Sequence, residues 1–129
     1  MVLGIGVDIC EIERVREAIR RYGDRFKKRI CTLAELQLAD GLVDVATFYA
    51  GCFAAKEAMA KALGTGITDR VRWHDIEVLN HNASPPIMTL SGGALRRARW
   101  LASKRAFRIH LSIGYRGELA HAMVMIEAV

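Results

Sequence analysis

The chain has 129 residues, 52% of them hydrophobic, enough to build a core in one domain over residues 1–129, and nothing in it reads as linker, low-complexity segment or internal repeat. A formal net charge of +5 points to an acidic partner: nucleic acid, an anionic protein or a phosphorylated ligand. Cys10, Cys31 and Cys52, 21 apart with no CxxC pair, argue against a disulfide framework or zinc site and for thiols in a reducing cytosol. No apolar run suits a membrane span, and Asp8 and Glu11 come too early for a signal peptide.

Residues 2–7, VLGIGV, predict a strand with Leu3, Ile5 and Val7 on one side and Gly4 and Gly6 on the other. Glycine weakens a strand, so the bare side implies a close approach or a bulge. Asp8 follows on the glycine side, at the expected strand end, where it is either a cap for the next helix or a functional carboxylate. Residues 11–29 predict one amphipathic helix with a core stripe of Ile12, Val15, Ile19, Tyr22 and Phe26. Its eight basic and four acidic side chains make either a solvated face or a docking face for an acidic partner. Few aromatics accompany them, which suits a protein better than single-stranded nucleic acid. Thr32 and Glu35 form a capping box for a helix toward Ala39, and a turn with Gly41 covers residues 40–44.

The next helix, capped at Thr47, contains FAAKEAMAKALGTG over residues 53–66. Phe48, Cys52, Ala55, Met59, Ala62 and Leu63 share an apolar sector, with Glu57 and Lys61 opposite. Two readings stand: an exposed i,i+4 ion pair, or charges enclosed by close packing around the alanines, where a carboxylate needs a partner or a metal. The helix breaks at Gly64-Thr65-Gly66. Strands follow at 75–80 and 87–90, joined by a turn over 82–86 with Pro85 and Pro86, then a helix from Ala94 to about Lys104 with exposed Arg96, Arg97 and Arg99. The last strands are residues 108–113 and 121–127 with Gly117 in the turn; His110, Ser112 and Gly114 face away from Ile109, Leu111 and Ile113. His74, His81 and His121 show no metal-ligand spacing, and His110 in a strand reads by default as a satisfied or surface histidine. The pattern is α+β, a largely antiparallel sheet with a long helix packed against it.

Brought together, Asp8 and Glu57 would make an oxygen-ligand site suited to Mg²⁺, with remaining positions left to water and phosphate oxygens. Lys61 could meet a phosphate, and the Gly64–Gly66 loop could admit a ligand backbone.

Four blocks in order, residues 2–14 (VLGIGVDICEIER), 50–67 (AGCFAAKEAMAKALGTGI), 73–78 (WHDIEV) and 110–113 (HLSI), closely resemble the holo-acyl-carrier-protein synthases of the 4′-phosphopantetheinyl transferase superfamily. The resemblance spans nearly the whole chain and implies that superfamily's fold. It implies Mg²⁺-dependent transfer of 4′-phosphopantetheine from coenzyme A to a serine of apo acyl carrier protein, serving fatty acid biosynthesis in the cytoplasm. Asp8 and Glu57 match the metal ligands, and Lys61 matches the active-site lysine. Gly64, Thr65 and Gly66 match the loop beside the nucleotide, His110 and Ser112 the strand near the adenosine and 3′-phosphate, and Arg14 and Arg21 the helix that docks the carrier protein. The general base stays open between a metal-bound water and a carboxylate. The short form of the family is a homotrimer with sites at subunit interfaces, which is the assembly expected here, with no nucleic-acid or membrane partner.

Two departures stand out. Cys52 replaces a common arginine, and Gly114-Tyr115 replaces Ser-His, both changes bearing on coenzyme A affinity. They leave a second reading, a non-catalytic binding module for coenzyme A or a carrier protein. A third, a basic nucleic-acid-binding domain, rests on charge alone and predicts a steep salt dependence.

Overall fold

The computed structural model describes residues 1–79 and 85–129. In chain order these form β1 (Val2–Glu11), α1 (Ile12–Tyr22), α2 (Asp24–Ile30), α3 (Leu33–Ala39), α4 (Val45–Ala62), a single 3-10 turn (Trp73–Asp75), β2 (Ile76–Leu79), β3 (Ile87–Leu90), α5 (Gly92–Leu101), β4 (Phe107–Arg116) and β5 (Leu119–Ala128). Asn80 at the expected strand end, His81 and the expected turn residues 82–84 lie outside the described residues.

The expected α+β class holds. Among the described residues one sheet has the order β1-β5-β4, the other is the β2-β3 pair, and every pairing is antiparallel. The long helix α4 packs on β1 and β5. The glycine pattern explains how. A Cβ on Gly6 would overlap the Ala58 carbonyl oxygen, and one on Gly4 the Ala62 carbonyl oxygen. The bare side of β1 is therefore the seat of α4, whose alanines let the two backbones approach. Ala54, Ala55, Ala58 and Ala60 are wholly buried, with Val124 and Ile126 of β5.

Three expectations change. The basic helix is two helices, because Gly23 at φ 58° breaks it, so Tyr22 is 51% exposed rather than in the core stripe. Helix α4 is capped by Asp44, whose carboxylate accepts from Thr47 N at 3.2 Å, and not by Thr47 itself. Asp8 lies inside β1, which runs on to Glu11, so it caps nothing. The last two strands also extend beyond their expected ends, and α5 starts two residues early at Gly92.

The capping box at Thr32 and Glu35 is present, but Glu35 does more than cap. It is fully buried, and so is Lys56 of α4. Lys56 Nζ donates to Glu35 Oε1 (2.6 Å), Ile30 O (2.6 Å) and Trp73 O (3.2 Å). Thr32 N and Val78 N donate to the two Glu35 oxygens, each at 2.7 Å. One buried ion pair thus ties α2, α3, the 3-10 turn and β2 to α4, with its remaining hydrogen-bonding capacity largely met.

Candidate active site

Strand alternation puts Asp8 on the same face as Gly4 and Gly6, toward α4. Lys61, near the end of α4, donates from Nζ to Asp8 Oδ1 at 2.8 Å and to the Val7 carbonyl at 3.1 Å. The Asp8 side chain is 15% exposed and that of Lys61 50%. The hydrogen bond it donates to Asp8 raises the Lys61 pKa above its ordinary value. Lys61 thus reaches across to the strand, and the i,i+4 contact with Glu57 read from spacing is not the one formed.

Glu57 is half-buried and, among the described residues, accepts no hydrogen bond and forms no ion pair. Burial raises its pKa first and the nearby Asp8 carboxylate raises it further, with Lys61 a smaller opposing influence. Two carboxylates, one desolvated and without a cation of its own, share one lip between β1 and α4. Such a pair is the donor set of a hard divalent cation that keeps its other positions for water or phosphate. Among the described residues no group of three or more His, Cys, Asp or Glu side chains gathers.

Gly64 and Gly66 have φ values of 80° and 67°, which turn the chain sharply after α4, and the Thr65 and Gly66 amides fold back onto Ala60 O at 3.2 and 3.1 Å. Arg97 of α5, expected to be exposed, is half-buried and caps this end by donating from Nε to Leu63 O at 2.9 Å.

Arg14 and Arg21 are exposed on α1, with the Arg21 guanidinium 5.5 Å from the Tyr22 ring centre. Beside Arg14 opens an apolar cavity of about 370 Å³ lined by Ile9, Val15, Phe26, Phe53 and Leu119. Phe53, which lines this cavity, stands one helical turn before Glu57. Its significance was missed in the sequence, although a lone large aromatic flanking Glu57 on an alanine-rich helix is a signal for it.

His110 and Ser112 lie elsewhere. They pair across β5 with Met125 and Met123, which pair with Ile5 and Val7 on the sheet face away from α4. His110 Nε2 and Glu127 Oε1 are 3.0 Å apart there. Within one chain they do not converge with Asp8, Glu57 and Lys61. Around them Ile5 (60%), Val7 (52%), Ile9 (62%) and Met123 (52%) leave an exposed apolar surface.

The two departures adjoin each other. Cys52 is fully buried, its thiol hydrogen-bonded with Cys31 and its pKa pushed well up by burial. The Tyr115 hydroxyl packs over Gly51, where any Cβ would overlap it, and burial pushes its pKa up to about 12. Position 52 therefore points into the core of this chain.

Comparison with known proteins adds to this geometry. The family model for the 4′-phosphopantetheinyl transferase superfamily matches residues 4–123. A holo-[acyl-carrier-protein] synthase of Methylorubrum extorquens (strain PA1) is 44% identical over 130 residues, covering 100% of this chain and 96% of the relative. One from Rhizobium rhizogenes is 45% identical over 129 residues, covering 99% and 96%. Among solved structures, the holo-(acyl-carrier-protein) synthase of Bacillus anthracis in complex with CoA (3′,5′-ADP) superposes with a TM-score of 0.80 at 37% identity, covering 100% of this chain and 99% of that one. The Helicobacter pylori synthase in complex with coenzyme A gives 0.78 at 28% identity, covering 95% and 99%.

Proposed function

The chain belongs to the 4′-phosphopantetheinyl transferase superfamily, and from that membership we infer that it transfers 4′-phosphopantetheine from coenzyme A to a serine of apo acyl carrier protein. The serine oxygen bonds to the phosphorus that bears the pantetheine arm. The pyrophosphate P–O bond breaks, and adenosine 3′,5′-bisphosphate leaves with the electron pair. The reading is carried above all by the convergence of Asp8, Glu57 and Lys61 at one lip between β1 and α4.

Asp8 and Glu57 would hold Mg²⁺, and the unneutralised charge on Glu57 supports that fit. When bound, the ion neutralises pyrophosphate charge that otherwise repels the incoming oxygen. Lys61 has a half-exposed ammonium at the same lip, suited to steady or protonate the departing phosphate. The turn at Gly64, Thr65 and Gly66 carries little side-chain bulk, which suits close approach of the nucleotide. Arg14 and Arg21 offer charge to an acidic carrier protein, and the apolar cavity beside Arg14 gives that partner an apolar surface to dock against.

His110 and Ser112 enter this scheme only from a second copy of the chain. The apolar outer face around Val7 supports burial against other copies, and a homotrimer would set His110 and Ser112 of one subunit near the carboxylates of its neighbour. The cytoplasm, whose reducing conditions suit three buried thiols, is the compartment of this reading, and fatty acid synthesis is the pathway it would serve.

Intact-mass spectrometry of an apo acyl carrier protein with coenzyme A, Mg²⁺ and this protein tests the reading. A gain of one phosphopantetheine arm is expected, lost with Asp8→Ala and with Glu57→Ala. Coenzyme A bound but never consumed, across several carrier proteins, would leave the binding-module reading in its place.

A further inference from the structure

A cavity of about 990 Å³ separates the loop after α4 from the start of α5, and neither Asp8 nor Glu57 lines it. Its charged lining is Arg70, Arg72, Arg96 and Arg97 against Asp69 and Asp75, two positive charges in excess. We propose that this cavity is a phosphate-binding site, occupied by a phosphomonoester either free or carried on a small molecule.

Three features of the lining argue for it. The first is rigidity. Arg97 is held by its bond to Leu63 O and by stacking 4.4 Å from the Trp100 ring centre, while its Nη2 lies 3.5 Å from where a side chain on Gly64 would begin. Arg70 sits in a tight turn, with Thr68 Oγ1 accepting from the Arg70 and Val71 amides at 3.1 and 3.0 Å. That turn rests directly on α5, since a Cβ on Gly93 would overlap the Arg70 carbonyl oxygen. The Arg97 guanidinium is therefore held in place before binding, and Arg70 and Arg96 project from backbone fixed by this packing.

The second is vacancy of their hydrogen-bonding edges. Asp75 is already engaged by Arg72, through its amide at 3.1 Å and its guanidinium at 4.0 Å. Among the described residues the side chains of Arg70 and Arg96 make no ion pair or hydrogen bond. Like charges gathered around one cavity repel unless an anion joins them. The third is stoichiometry of charge and shape. A phosphomonoester brings about −1.5 to −2 near neutral pH, which matches the excess. Its oxygens fit the planar fork of a guanidinium. The cavity volume is at the upper end for small-molecule sites, so a nucleotide-sized carrier also fits.

The test is thermal unfolding at constant ionic strength, with inorganic phosphate replacing chloride. Tm is expected to rise with phosphate concentration for the wild type. Arg96→Ala and Arg70→Ala should each weaken that response about tenfold or more, the effect of losing a charge-assisted hydrogen bond. Arg99→Ala, on the same helix but outside the cavity, and Glu57→Ala, at the catalytic lip, should leave it unchanged. Phosphorus NMR with coenzyme A and with 3′-dephospho-coenzyme A then separates the sources. If only the former displaces inorganic phosphate, the site takes the nucleotide's own 3′-phosphate; if neither does, it takes a separate phosphate ligand. Equal responses to phosphate and chloride, or arginine variants that respond as wild type does, would overturn the proposal.

Discussion

Replacing Lys56 by methionine keeps the length of the side chain and removes its charge from the interior. The ammonium lies 2.6 Å from Glu35 Oε1 with both side chains wholly buried. At that separation the gross attraction is about 6 kcal/mol for an effective dielectric near 20. Desolvating both ions offsets most of it, so the intact pair contributes little net stability. The single substitution is different, because it strands the Glu35 charge in the core and takes a donor from Ile30 O and Trp73 O. Lys56→Met should therefore cost about 3–5 kcal/mol, a large part of the stability of a small domain. Urea denaturation followed by circular dichroism, at one fixed protein concentration, measures it. The Lys56→Met/Glu35→Gln double variant should cost less than the two single changes together by about 1–3 kcal/mol. A cost under about 1 kcal/mol for Lys56→Met, or strict additivity in the cycle, would refute the view that this pair anchors α4 to the helical layer.

Glu57→Gln should abolish transfer yet raise the Tm of the metal-free protein at neutral pH. Burial and Asp8 raise the Glu57 pKa, so the folded chain holds that proton more tightly than the unfolded chain; its share of stability is intact below the ordinary glutamate range and is lost as pH rises through the raised value. The Tm difference from wild type should accordingly vanish on acidification, and a Tm that falls at pH 7 would contradict the assignment. Gly6→Ala forces a methyl group into the Ala58 carbonyl and should destabilise by about 1–3 kcal/mol or more, with activity falling further than stability because β1 and α4 are driven apart at Asp8. Val7→Lys, on the exposed outer face, should leave secondary structure unchanged and abolish self-association in sedimentation velocity; an unchanged sedimentation coefficient would remove the argument for a subunit interface there.

Much of this arrangement was legible because local rules and tertiary packing agree. Alternation alone separated Gly4, Gly6 and Asp8 from Leu3, Ile5 and Val7, and glycine on one side implied a close neighbour or a bulge, of which α4 proves to be the neighbour. The capping box at Thr32 was equally local. The break at Gly23 was not legible, since a glycine within a helix costs only about 1 kcal/mol and the amphipathic spacing continues past it. Nor could spacing tell which lysine of α4 turns inward. Lys56 is fixed by Glu35, Ile30 and Trp73, which lie 21, 26 and 17 residues away in sequence. The second task of Glu35 depends in the same way on Val78, 43 residues on.

The two faces of the sheet carry different sets of residues. The inner face of β1 is bare so that α4 can close on it, and that closure sets Asp8 beside Glu57 and Lys61. The outer face carries His110 and Ser112 in register with Met125 and Met123, and through them with Ile5 and Val7. Direct cross-strand partners cannot change face without shifting the register of the whole strand, so no side-chain motion within one chain brings His110 to Asp8. If both sets act on the same coenzyme A, the sheet must meet another copy of itself, and the apolar surface around Val7 is where that contact would bury area. Catalysis and assembly would then depend on the same strand, β1, whose even residues build the carboxylate lip and whose odd residues build the contact.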